Sequence, residues 1–205
     1  MGTIRVQQWV VVTSLLLFAI KIIAYYLTNS VAVLTDALES TVNVVTGFTG
    51  LYSLHIAAKP RDENHPYGHG KAELLSASFE GILILVAGFV IIYESIGNLL
   101  HPHTLKQLDT GIILIAATAV INYVVGAWCI RTGRQQHSIA LESSGKHLQS
   151  DTWTTAGIVG GLILLRLTGI LWIDSVVAII SALIIIVEGY KIIRQTVAGI
   201  MDEAD

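Results

Sequence analysis

The sequence predicts an all-α membrane protein: a bundle of six transmembrane helices with both termini in the cytoplasm. Three observations carry that prediction. The composition is 53% hydrophobic with only 13% charged residues, about half the charged share of an ordinary soluble domain, and the mean hydropathy is +0.68. Six apolar stretches reach the roughly 20 residues that a span requires. When these are threaded in alternation, the basic residues fall almost wholly on one side.

The first stretch, 6–27, has no small-residue cleavage site after it and reads as a retained helix, not a signal peptide. The second, 31–55, follows so closely that the pair must form a tight antiparallel hairpin. A polar loop over 57–71 leads to the third, 72–100, and then the fourth, 110–130. A second charged loop, 131–146, precedes the fifth, 148–167, which turns at 168–169 into the sixth, 170–193. With the N-terminus in the cytoplasm, Arg5, Lys59, Arg61, Lys71, Arg131, Arg134, Lys146, Lys191 and Arg194 lie inside. Only Lys106 and Arg166 lie outside, and Lys21 is left within the first span. The expected location is a cytoplasmic, bacterial inner membrane. A net charge of −3 gives no reason to expect a nucleic-acid partner, and the single cysteine, Cys129, excludes an internal disulfide or a cysteine-rich metal site.

An ionisable group inside a span costs about 3 kcal/mol on insertion scales and marks a functional position by default. Asp36, Glu39, Glu80, Glu94, Asp151 and Asp174 are such groups. In span two, Glu39 and Asn43 are four apart; in span five, His147 and Asp151 are four apart. Residues at that spacing share one helix face. Two helices that each offer two ligands one turn apart can enclose one ion tetrahedrally, which suits Zn²⁺, with Fe²⁺, Co²⁺ or Mn²⁺ as alternatives. The competing reading is a polar contact that fixes helix packing. Spacing alone leaves both open, because it does not show that spans two and five touch.

The motifs go further. The segments "NSVAVLTDALESTVN" at 29–43, "NHPYGHGKAE" at 64–73, "HLQSD" at 147–151 and the closing "GIMDEAD" resemble those of the cation diffusion facilitator family of divalent-metal/proton antiporters, and the resemblance covers essentially the whole chain. It implies six spans and secondary active export of divalent metal in exchange for protons, with no tightly bound cofactor. By position, it implies a transport site made of Glu39, Asn43, His147 and Asp151. The family's usual span-two pair is His or Asp followed four later by Asp, so this sequence departs at both places. With Glu39 and Asp151 ionised and His147 neutral, the site carries two negative charges, which just balance a divalent ion. The neutral Asn43 weakens the hold and tilts the site from strict zinc selectivity toward Fe²⁺, Mn²⁺ or Co²⁺.

The resemblance also makes Asp62, His65 and His69 a second, loop metal site, against the plainer reading of a loop that docks helices. It pairs Lys71 with Asp202 as an ion pair at the cytoplasmic face. It implies a homodimer. Family members typically continue into a soluble cytoplasmic domain, which is expected to be absent from this chain. Asp36 is expected to line the cavity entrance or to pair with Lys21, Glu80 to line the same cavity, and Asp174 to pair with Arg166. Gly157 and Gly161 on span five, with Gly47 and Gly50 on span two, are expected to permit close helix approach. An intramembrane metalloenzyme is disfavoured, since there is no H-E-x-x-H. The remaining alternative, a passive metal channel or metal-sensing membrane protein, differs from an antiporter in lacking proton coupling.

Overall fold

Each apolar stretch becomes one long helix, the only open-ended way for a chain to satisfy its backbone in lipid. In the computed structural model these are α1 (Thr3–Thr28), α2 (Val31–Ala57), α3 (Lys71–Leu100), α4 (Leu108–Gln135), α5 (Ile139–Thr168) and α6 (Trp172–Ile200). The structure describes residues 3–57, 59, 69, 71–102, 104–136 and 139–201. Helices of 26 to 30 residues exceed the hydrocarbon thickness of ~30 Å at about 1.5 Å per residue. Within the described residues, Trp9–Thr28, Leu74–Leu100, Leu108–Gln135 and Trp172–Ile200 are long and apolar enough to cross a membrane by composition alone. The other two, α2 and α5, carry Asp36, Glu39 and Asn43, and His147 and Asp151. Their polar groups dilute the apolar signal.

One boundary differs from expectation. The segment 131–146 is not a loop along its length: α4 runs to Gln135 and α5 begins at Ile139. Apolar content marks where lipid begins, not where a helix ends. The exposed turns are held by Glu142, whose carboxylate meets Lys146 Nζ at 3.1 Å and Arg134 Nε at 3.5 Å.

The helices pack as α3 along α6 and α4 along α5, with α1 against α2 and α4, and α2 in the middle. A core of Ala24, Val31, Ile91, Ile115, Ile158 and Ala178 draws one residue from every helix. Of Gly47, Gly157 and Gly161, singled out above, only Gly161 lies at a close approach. A Cβ on Gly157 or Gly47 would meet nothing within 4 Å, and one on Gly161 would strike Val177 of α6. The tight contact of α4 with α5 is at Gly126 and Gly145, where a Cβ on either would lie 2.9 or 2.7 Å from the other's carbonyl oxygen.

At the end of the bundle holding the α1–α2 and α5–α6 turns, Asp174 of α6 caps α2. Its carboxylate accepts from Ser30 Oγ at 2.5 Å, Val31 N at 2.7 Å and Ala32 N at 3.2 Å. The expected Asp174–Arg166 pair does not form: Arg166 Nε instead donates to Asp109 Oδ1 at 2.8 Å. A buried helix N-terminus has unsatisfied N–H groups that need an acceptor, whereas an exposed guanidinium can use any nearby carboxylate. Asn98 Nδ2 donates to Ser175 Oγ at 2.9 Å and Lys106 N to Thr28 O at 2.9 Å, tying α3, α6 and the α3–α4 connection into the same end.

Candidate functional site

The opposite half of the bundle is open. A cavity of about 510 Å³ is lined by the first half of α1, by Ser40 and Asn43 of α2, Glu80 of α3, Asn122 of α4, and Ser144, His147 and Asp151 of α5. These positions run from mid-depth toward the end where α1 starts and α6 stops. Polar side chains of five helices thus face one cavity within an apolar bundle.

Asn43 Nδ2 donates to Asp151 Oδ2 at 2.9 Å. His147 Nε2 stands 3.9 Å from Asp151 Oδ1. Hence α2 and α5 do touch at these residues, which the spacing alone left open. Asp151 is buried at 7% exposure, while the His147 side chain is half exposed toward the cavity mouth. A helix turn explains both: residues four apart stack along one face, so the deeper partner is shielded by the shallower one.

Glu39 stands one turn deeper on α2, half-buried, and does not line the cavity. Among the described residues no three His, Cys, Asp or Glu side chains converge as a metal-holding group. The structure therefore brings Asn43, His147 and Asp151 to one wall and leaves Glu39 beside them.

Below this wall Asp36 is fully buried. Its Oδ1 accepts from Lys21 Nζ at 2.9 Å and from Thr155 Oγ1 at 2.8 Å, joining α1, α2 and α5. Of its two expected roles, the pair with Lys21 is the one formed. Glu80 is among the residues that line the cavity. Lys71 Nζ donates to Ile200 O at 3.1 Å, placing a cation on the carbonyl end of α6. Asp202, Asp62 and His65 lie outside the described residues; His69 is described, and its carbonyl accepts from Ala72 N at 3.0 Å.

Thr155 and Asn122 are among the polar residues that escaped the sequence reading. Thr155 follows Asp151 by one helical turn, a signal that was there to use. Asn122 is a lone amide within an apolar run, and only the fold shows that it faces the cavity.

A six-helix bundle with a polar wall shared by α2 and α5 defines a polytopic membrane domain. The chain matches the cation efflux transmembrane domain over residues 8–201, and it belongs to the cation efflux family. It is 39% identical over 186 residues to an uncharacterized transporter of Synechocystis sp., covering 90% of this chain and 60% of that protein. It is 28% identical over 194 residues to the manganese efflux system protein MneS of Bacillus subtilis, covering 93% and 66%. With the metal cation efflux system protein CzcD of Cupriavidus metallidurans it shares 24% over 189 residues, covering 90% and 59%. The chain spans about three-fifths of the length of the Synechocystis and Cupriavidus proteins. The family is one of membrane transporters, not of enzymes.

Proposed function

We propose that the chain exports divalent metal cations from the cytoplasm in exchange for protons, through a site shared by α2 and α5. The observation that carries this reading is the contact of Asn43 with Asp151, beside His147, on the wall of a cavity reaching from one end of the bundle to mid-depth. In this reading the cavity mouth faces the cytoplasm, in line with the distribution of basic residues. Asp151, His147 and the Asn43 carbonyl oxygen bind the ion, and Glu39 reaches it when α2 turns slightly. The opposite end, tied by Asp174, is the closed side, and alternating access moves one helix group against another about the midplane.

Proton exchange follows from ligand chemistry. Metal binds the deprotonated carboxylate and the neutral imidazole, so protons arriving at these groups release the ion. His147 lines the cavity beside Asp151, where a proton and the ion compete for the same groups. Zn²⁺ and Fe²⁺ are the leading cargoes, with Mn²⁺ and Co²⁺ as co-substrates.

Metal uptake into proteoliposomes with an imposed pH gradient tests the reading, comparing these four ions for the unaltered protein and Asp151→Ala. Gradient-driven flux abolished by the substitution is the expected result. Flux that ignores the pH gradient would favour a passive channel, and flux unchanged in Asp151→Ala would displace the site.

A further inference from the structure

Asn122 sits on the buried stripe of α4, which otherwise consists of Gly111, Ile115, Thr118, Ala119, Gly126, Cys129 and Gly133. Thr118 satisfies its own hydroxyl by donating to Ile115 O at 2.7 Å. The Asn122 amide, at 4% exposure, makes no hydrogen bond to any described residue, yet it lines the cavity shared by Asn43, His147 and Asp151. The amide is not sealed within the packing but opens onto that cavity. A leucine would fill the same space on an apolar helix. An amide turned to the cavity without a protein partner is free to meet what enters it.

The register of α4 on α5 fixes its depth. Gly126 lies against Gly145, and Ala119 O accepts from Thr152 Oγ1 at 3.4 Å. In this antiparallel pair Asn122 therefore lies level with Gln149, midway between His147 and Asp151. It stands at the height of the expected ion, on a third helix.

We propose that Asn122 is a specificity-determining ligand of the transported cation, supplying a carbonyl oxygen from α4 that favours an oxygen-preferring ion such as Mn²⁺ over Zn²⁺. This rests on the transport reading above. Zn²⁺ is content with four ligands, including the His147 nitrogen, whereas Mn²⁺ takes more ligands and prefers oxygen. A fifth protein donor therefore helps Mn²⁺ and is nearly indifferent to Zn²⁺.

The test measures Mn²⁺ and Zn²⁺ binding to the purified full chain in nanodiscs, with uptake into proteoliposomes alongside. The variants are Asn122→Leu, Asn122→Asp and Asp151→Ala. Asn122→Leu should weaken Mn²⁺ by about tenfold, the scale of one lost ligand contact, and leave Zn²⁺ within about twofold. Asn122→Asp, isosteric and so folded if Leu is not, should tighten Mn²⁺ more than Zn²⁺. Equal changes for the two metals in either folded variant, or no change, would overturn the proposal while leaving the transport reading intact. If the unaltered protein binds neither metal, or Asp151→Ala binds both normally, the transport reading fails and this proposal with it.

Discussion

The ammonium of Lys21 lies 2.9 Å from Asp36 Oδ1, and the two side chains are exposed by only 2% and 0%. The second carboxylate oxygen, Oδ2, is buried with no hydrogen-bond partner among the described residues. Removing one member of such a pair strands the other charge, whereas replacing both with apolar groups is often neutral. Lys21→Met and Asp36→Leu should each destabilise the protein by about 3–5 kcal/mol, and the double variant should recover most of that loss. Thermal unfolding in detergent, run as a double-mutant cycle, checks this. A double variant as unstable as the sum of the singles would show that the two charges are not coupled.

Asp174 accepts three donors from the start of α2, so its removal should be felt at a distance in sequence. Asp174→Ala leaves two backbone N–H groups and the Ser30 hydroxyl without their acceptor, at a cost of about 2–4 kcal/mol. Asp174→Asn keeps one acceptor oxygen and should lose less. Arg166→Ala is the control: its pair with Asp109 is exposed, and no measurable loss is expected. An unfolding temperature that falls as far in Arg166→Ala as in Asp174→Ala would contradict this assignment.

The contrast shows what a sequence can carry. Spacing marked His147 with Asp151 and Glu39 with Asn43, and charge in an apolar run marked Asp36 and Asp174. The length of the apolar stretches placed all six helices, and Gly169, at φ 70, turns the chain where the α5–α6 hairpin was expected. Partners were harder. Asp174 binds mostly backbone N–H groups, which every residue possesses, so nothing in the sequence singles out Ser30 to Ala32 as its donors. Asn122 carries no charge, and which side of α4 faces the cavity depends on how α4 packs on α5. The inward position of Asn43 relative to Glu39 likewise depends on the rotation of α2, which a four-residue spacing does not specify.

Close helix approach yields a prediction with its own control. A Cβ on Gly145 would lie 2.7 Å from Gly126 O and 2.8 Å from Ile130 N, both backbone atoms that cannot swing aside. Gly145→Ala must therefore push α4 from α5 and disturb the wall carrying His147 and Asp151. It should lose both stability and gradient-driven metal flux. Gly157→Ala meets open space and should be neutral or stabilising by up to about 1 kcal/mol through helix propensity. Parallel unfolding and uptake measurements on the two variants decide the matter. Equal behaviour would mean that the α4–α5 contact tolerates separation.

Asn43→Asp tests how charge at the α2–α5 wall sets affinity. The amide now donates to Asp151 Oδ2 at 2.9 Å; a carboxylate in its place would set two like charges against each other. Without metal the variant should be less stable, and the loss should shrink at acidic pH as the two carboxylates come to share a proton. A divalent cation removes the repulsion, so Zn²⁺ should bind about tenfold more tightly than to the unaltered protein at neutral pH. Metal should also raise the unfolding temperature of the variant further, since ligand bound only to the folded state stabilises it in proportion to its affinity. An identical metal-induced shift in both proteins would place the ion away from Asn43 and Asp151.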